Sequence, residues 1–412
     1  MKNPIIIGAG VSGLVAAIEL EKAGYSPLML EATDRVGGRV KSDDLKGFPA
    51  DHGFQVLLTE YPEAQKYLNY DKLDLVKFKP GSVIFKKGKM EKIGDPLRDV
   101  SFLLSTTFAD VGSVNDKRLI LKLSMALKKK SIDAIFKEPE TTTMVYLQNY
   151  GFSEEIIKNF FQPFFAGIYL EEDLDTSSRM FEFVYKMFGT GYAAIPRKGM
   201  QAIPDQLAAR LRQTTIRFNT KVNHIEGNTI LLESGQSLPA DQIIIATDPA
   251  KFFTNKDLTT CQWKSCYNLY LQSSKSVLKD AIIGLLPEQE TLVNNFHYLD
   301  DVYGNTGTAN ETILSVTVVN NHELSEEDMV REVKEELQNH CKIETGELLK
   351  IFHIKKALPK VTDLKYEPTE EAVALAPGIF CCGDYLANSS LNAAMASGRV
   401  AAGLAARAGK AE

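Results

Sequence analysis

The chain opens with an apolar run, Pro4 to Ile7, which breaks at Gly8-Ala9-Gly10-Val11-Ser12-Gly13 and gives way to Leu14–Ala23, where apolar positions recur at helical spacing. Gly24 ends that helix, and Pro27–Glu31 reads as a second strand. A strand, a tight turn, a helix and a strand are thus predicted within about 30 residues. Further on, Phe85–Met90 predicts a hairpin about a Lys-Gly turn. Phe102–Tyr192 predicts mostly helix, with strong helix formers in Lys117–Lys130. A strand-rich block follows from Ile216 to Ala246, in which Ile243-Ile244-Ile245 has the unbroken apolar character of a parallel strand buried on both faces. Leu269–Leu271 and Ile313–Val319 predict strands and Glu326–Cys341 a helix. Gly378–Cys382 predicts a last strand, followed by the polar pair Gly383-Asp384 and a small-residue helix from Asn392 to Ala408. The predicted class is α/β.

Composition narrows the function. At 412 residues, 44% apolar and 24% charged, the chain has the balance of an ordinary globular protein with a sizeable core. Its net charge of −6 argues against nucleic acid as a partner, because phosphate binding needs a concentrated basic surface. Five cysteines make an odd number, none in a Cys-x-x-Cys array, so neither a disulfide framework nor a metal site is expected. Cys381 and Cys382 read as small buried hydrophobes in a strand. A reducing, cytoplasmic compartment is expected. The apolar run at Pro4 has no charged leader, so the mature chain is expected to begin near Met1. No window approaches the roughly 18 consecutive apolar residues of a membrane span.

The glycine turn carries the first chemistry. Following a strand and opening a helix, Gly8, Gly10 and Gly13 permit a tight bend and close approach of a pyrophosphate, with Val11 and Ser12 at the helix start. Glu31 stands 18 residues after Gly13, at the end of the next strand, where a carboxylate accepts the ribose hydroxyls of an adenosine. This predicts a dinucleotide site. Glu31-Ala32 then leads into Arg35-Val36-Gly37-Gly38-Arg39, a string that resembles the second motif of the FAD-dependent amine oxidase, phytoene desaturase and protoporphyrinogen oxidase superfamily. The resemblance implies that Gly37 and Gly38 bring backbone N–H groups to the pyrophosphate and that Arg39 adds a positive charge, with Ala32 and Arg35 in the same segment.

Other segments are similar to the same superfamily. Phe380-Cys381-Cys382-Gly383-Asp384 followed by Asn392-Ala393-Ala394-Met395-Ala396-Ser397-Gly398 resembles its C-terminal flavin motif. The resemblance implies that Gly383 and Asp384 reach the ribityl-phosphate region and that the helix start, at Asn392 and Ala393, points N–H groups at flavin N1 and the C2 carbonyl. A helix N-terminus there stabilises negative charge near N1. Pro196–Met200 with Asn219-Thr220-Lys221-Val222 resembles the middle segment, whose valine lies against the adenine and maps to Val222. Ala246-Thr247-Asp248-Pro249 matches the crossing between domains. These stretches cover about a quarter of the chain, in the family's order. The implied fold is a Rossmann-like FAD-binding domain (residues 1–75, 196–250 and 356–412) interleaved with a mixed-sheet substrate domain (76–195 and 251–355) that carries a helical subdomain at about 100–192. FAD is expected to be noncovalent, since no cysteine matches the family's attachment sequence.

The same resemblance implies hydride transfer from substrate to flavin N5, which asks little of side chains beyond orientation and exclusion of water. Residues 160–192 hold ten aromatics, an enrichment that fits either an apolar substrate tunnel or the packing of a helical core. Phe164, Phe165 and Tyr169 are the candidate lining residues. Amine-oxidising members pair two aromatic rings before the flavin, and no such ring is assignable in Phe352–Lys360, where His353 reads as a polar handle or a structural histidine. A small apolar, isoprenoid-like substrate is therefore expected, with an amine oxidase as the alternative and a non-catalytic prenyl carrier of the same fold as the second. Glu31, Arg39 and Asp384 together disfavour the carrier, because a pocket that binds no cofactor has no use for three groups aimed at one ligand. The electron acceptor stays open. Leu97–Phe136, with Phe102, Leu103, Leu104 and Phe108 beside Lys117, Arg118, Lys122 and Lys128-Lys129-Lys130, reads either as a solvated basic helix, the favoured reading, or as a peripheral contact with an anionic membrane.

Overall fold

A computed structural model describes residues 4–86, 88–95, 98–99, 102, 109–252, 261–288, 290–304, 312–320 and 322–409. Two sheets organise it. The first is six-stranded, in the order Thr215–Arg217, Leu28–Leu30, Ile5–Ile7, Ile243–Ile245, Ile379–Cys381 and Ala374–Ala376. The first five strands run parallel. Four of them, all but the edge strand Thr215–Arg217, are apolar on both faces, because the helices Val11–Lys22 and Leu391–Ala408 cover one face and the three-stranded sheet of Val222–Glu226, Thr229–Leu232 and Ser237–Pro239 packs on the other. Ile5–Ile7 is followed by the helix Val11–Lys22, which returns the chain to Leu28–Leu30 on one side, while Ile243–Ile245 enters on the other. The crevice at this reversal of strand order lies beyond the carboxyl ends of the strands, where open parallel sheets bind ligands.

The second sheet has seven strands in the order Thr345–Lys360, Gln262–Ser273, Thr312–Val319, Val293–Tyr298, Ile283–Leu285, Gly81–Lys86 and Lys89–Gly94. It is mostly antiparallel, with Ile283–Leu285 parallel to Gly81–Lys86. The strands of the first sheet come from residues 1–75, 196–250 and 356–412. Those of the second come from 76–195 and 251–355, apart from Thr345–Lys360, which runs on into the first body.

Between Val114 and Thr190 the chain is helical, as its pattern predicts. Helices span Val114–Lys129, Ile132–Lys137, Thr143–Tyr150, Gln162–Tyr169 and Ser178–Thr190. A π-helical turn, Ile157–Phe161, leads into Gln162–Tyr169. Ser113, Ser131, Thr142 and Ser153 each cap a helix by accepting a backbone N–H, which explains why this region divides where it does. Of the basic stretch, Leu97, Leu103, Leu104 and Phe108 lie outside the described residues. Phe102 does not face outward: it is fully buried, its ring pressed on Gly81 and Gly94. Among the described residues, no helix is long and apolar enough to cross a membrane.

Candidate functional site

A cavity of about 1750 Å³ runs from the carboxyl ends of the parallel strands into the helical region. At the first end stands the glycine turn. A Cβ at Gly13 would sit 2.2 Å from the Gly8 carbonyl oxygen, so the turn closes only without a side chain there. Gly10 is the N-cap of Val11–Lys22 and supplies no side-chain acceptor, and the first turn holds no acidic residue. The leading N–H groups of this helix, unlike those of the Ser- and Thr-capped helices, are left for an anion on the cavity side.

Gly37 and Gly38 are brought onto this turn. Gly37 donates its N–H to the Ala9 carbonyl at 2.9 Å and bridges Gly10 in parallel. Its φ of +127° and the Val40 carbonyl 2.4 Å from a built Cβ exclude any larger residue. Glu31 is buried at the next strand end, where one carboxylate oxygen accepts the Ala9 N–H at 2.8 Å. The other accepts the Thr33 N–H and hydroxyl at 2.9 and 2.7 Å. The carboxylate thus pins the turn as well as facing the cavity.

Arg39 reaches across to the other end of the chain. Its guanidinium pairs with both oxygens of Asp384, donates to the Ala357 carbonyl at 3.1 Å and lies 5.1 Å from the centre of the Trp263 ring. Asp384 is buried, and its neighbour Gly383 donates its N–H to the Ser397 hydroxyl at 2.9 Å.

Gly8, Gly10, Val11, Ser12, Glu31, Ala32, Gly37, Gly38, Arg39, Val222, Gly383 and Asp384 all line the one cavity, and so do Phe164, Phe165 and Tyr169. Four of the expected residues do not. Gly13 works behind the turn, as above. Arg35 is turned away, its guanidinium held by the Ser42 carbonyl at 3.1 Å and Asp43 at 2.6 Å, in a chain that continues to His52. Asn392 and Ala393 lie on the inner side of the helix Leu391–Ala408, Asn392 accepting the Glu63 N–H at 3.0 Å. In their place Leu391 and Ala394 face the cavity, a shift set by helical phase. The start of this helix is also not free of partners: the Ser390 hydroxyl accepts the Ala393 N–H at 3.0 Å.

The aromatic segment divides between wall and core. Phe160, Phe164, Tyr185 and Phe188 line the cavity, and the fully buried Phe165 and Tyr169 lie behind its surface with only an edge on it. Phe161, Phe181 and Phe183 are fully buried and do not line it. Phe160 and Phe164, four residues apart, share the cavity side, while Phe161 packs on Phe152 and Phe181.

Pattern reading missed Trp263 and Lys264, which also line the cavity. Lys264 forms an ion pair with Glu171 and donates to the Thr176 hydroxyl at 3.1 Å, joining the sheet to the helical region. The strand that carries it begins at Gln262 rather than Leu269, and a lysine on an inward position of that strand was the available signal. Cys266 and Cys382 are on the wall too. Burial pushes the Cys266 thiol up to about 12 and raises the Cys382 thiol as well, which disfavours the thiolate at both. No cluster of metal-ligating side chains occurs among the described residues.

The cavity's volume, an uncapped helix start, a glycine cradle and an arginine paired with a buried acid fit a dinucleotide with a diphosphate at its centre. Comparison with known proteins agrees. Residues 11–406 match the model of a family described as flavin containing amine oxidoreductase. The chain is 27% identical over 263 residues to protoporphyrinogen oxidase 2 of Arabidopsis thaliana, covering 55% of this chain and 51% of that protein. It is 26% identical over 264 residues to an L-amino-acid oxidase of Protobothrops flavoviridis, covering 60% and 50%. The chain thus spans about half the length of the curated relatives it matches. Among solved structures, a redesigned putrescine oxidase superposes with a TM-score of 0.70 at 16% identity, covering 99% of both chains. An oxidoreductase from Methanosarcina mazei gives 0.72 at 17% identity, covering 96% of this chain and 98% of that one. At such identities the likeness is one of fold.

Proposed function

This chain belongs to the flavin-containing amine oxidoreductase family, whose members are FAD-using oxidoreductases, and we propose that it takes a hydride from an apolar substrate held in the aromatic arm of its cavity. The observation that carries this reading is the continuity of one cavity from the glycine cradle to the wall of Phe160, Phe164 and Phe188. When bound, FAD supplies the two-electron acceptor. The chain's own residues then bind, orient and exclude water. The N–H groups at the start of Val11–Lys22 and the Arg39 guanidinium offset the charge of a diphosphate. Asp384 fixes the direction of that guanidinium. In the arm, the aromatic rings hold an apolar molecule by area, and rings with few rotatable bonds lose little freedom in doing so. Lys264 and Glu171 satisfy one another in the wall, so this pair presents no lone charge to such a molecule.

Anaerobic mixing of the flavin-loaded protein with detergent-dispersed isoprenoids or polyenes tests the reading, with flavin absorbance as the signal. Bleaching by these compounds, and none by polyamines or aryl-alkyl amines, is the expected result. Oxidation of an amine is the second reading, carried by the sequence similarity to an L-amino-acid oxidase. Fast bleaching by a simple amine, with isoprenoids inert, would replace the first reading by the second.

A further inference from the structure

The helix Val114–Lys129 turns one face to the core, and the opposite face is exposed among the described residues. Asp116, Leu123 and Leu127 are buried. Opposite them, Val114 is 84% exposed, Met125 51% and Leu121 44%. At about 3.6 residues per turn these three share a face with Arg118 and Lys128, both exposed. Lys122 and Lys129, also exposed, flank it. The helix carries five basic residues and a single acid, Asp116, whose carboxylate is engaged by Ser113 and Ser153. Every charge on its exposed side is therefore positive, on a chain of net charge −6. The same residues, Val114, Arg118, Leu121, Met125 and Lys128, form part of the cavity wall, so this face borders the cavity's outer end.

Three large apolar side chains held out in water are an unfavourable surface unless something covers them. A purely apolar partner would leave the cations without a counterpart, and a nucleic acid would leave Val114, Leu121 and Met125 without one. An anionic lipid surface satisfies both, since basic groups meet its headgroups while apolar side chains enter the boundary beneath. We propose that this helix face docks the protein on an anionic membrane, with the cavity opening toward the lipid. The inference rests on the surface and is independent of what the cavity binds.

Sedimentation of the flavin-loaded protein with vesicles tests it. Binding is expected to vesicles that contain phosphatidylglycerol and not to vesicles of phosphatidylcholine alone, and it should weaken as salt screens the surface charges. Arg118→Gln and Lys122→Gln should each lower the partition constant about fivefold. Leu121→Ser with Met125→Ser should lower it further. Circular dichroism and the flavin spectrum report whether a variant is folded, and the comparison of vesicle types and salt in the unaltered protein stands if one is not. Absence of sedimentation with anionic vesicles, equal binding to both vesicle types, or folded variants that bind as before would each overturn the proposal. So would concentration-dependent self-association abolished by Met125→Ser without vesicle binding, which would assign the face to a second copy of the chain.

Discussion

The guanidinium of Arg39 and the carboxylate of Asp384 form a two-pronged pair across 345 positions of sequence, and this contact ties the second glycine segment to the C-terminal motif. Asp384 is the more buried partner, with its side chain 6% exposed against 39% for Arg39. Removing either one leaves the other wrongly placed or unpaired. Arg39→Ala and Asp384→Ala are each expected to weaken FAD binding by about ten- to a hundredfold. If the two act as one device, the double variant should lose less than the sum of the singles. Titration of apoprotein followed by flavin fluorescence measures all three, and additive losses would show that they act separately.

Glu31 holds the Ala9 N–H and both donors of Thr33 while facing the cavity, so two roles meet in one carboxylate. Glu31→Ala should weaken FAD binding by about ten- to a hundredfold and leave the rate of flavin reduction in loaded enzyme unchanged. It should also lower the Tm of the apoprotein, because the turn loses a buried acceptor. A role confined to the ribose would leave that Tm where it is.

Much of the nucleotide end was legible because its constraints are local. Gly8 to Gly13 and Glu31 act within one strand-turn-helix-strand unit, so spacing carries their geometry, whereas Gly37 and Gly38 were placed by the family resemblance. Arg35 was misplaced because Asp43 and Ser42, which capture it, lie on a hairpin that no periodicity reveals. Asn392 and Ala393 were misplaced by helical phase, which a motif string does not fix until the helix has a partner. Lys264 escaped because its strand runs seven residues beyond its apolar core, and its partner Glu171 comes from another part of the fold. Contacts made outside each motif decided these positions.

Asp51 gives the protein a dependence on pH. Burial pushes its carboxyl up to about 7, although the Ser42 hydroxyl and the Met200 N–H both favour the charged form. In the unfolded chain the group titrates near its ordinary value of about 4. Between those values the folded protein keeps a proton that the unfolded chain releases, so stability falls as pH rises through the window from about 4 to 7. Asp51→Asn stays neutral and keeps the oxygen that accepts both hydrogen bonds. The Tm of the variant should therefore gain on that of the unaltered protein between pH 5 and pH 8. A constant difference across that range would contradict the raised value.

The aromatic segment makes the sharpest comparison, since neighbours in sequence take opposite duties. Phe161 is fully buried, with its ring 4.7 Å from Phe152 and 6.1 Å from Phe181, so Phe161→Ala should cost about 3–5 kcal/mol and appear as a lowered Tm and poorer flavin loading. Phe164 is half-buried and gives part of its ring to the cavity, so Phe164→Ala removes less packing and more binding surface. At roughly 25 cal/mol per Å² of apolar area, loss of the exposed part of one ring should raise the apparent dissociation constant of an apolar substrate by on the order of tenfold, with the flavin spectrum intact. Thermal melts and anaerobic substrate titrations on the two variants separate these effects. The opposite pattern, a destabilised Phe164 variant and a Phe161 variant impaired only in binding, would move the substrate arm away from the wall described here and with it the argument for an apolar substrate.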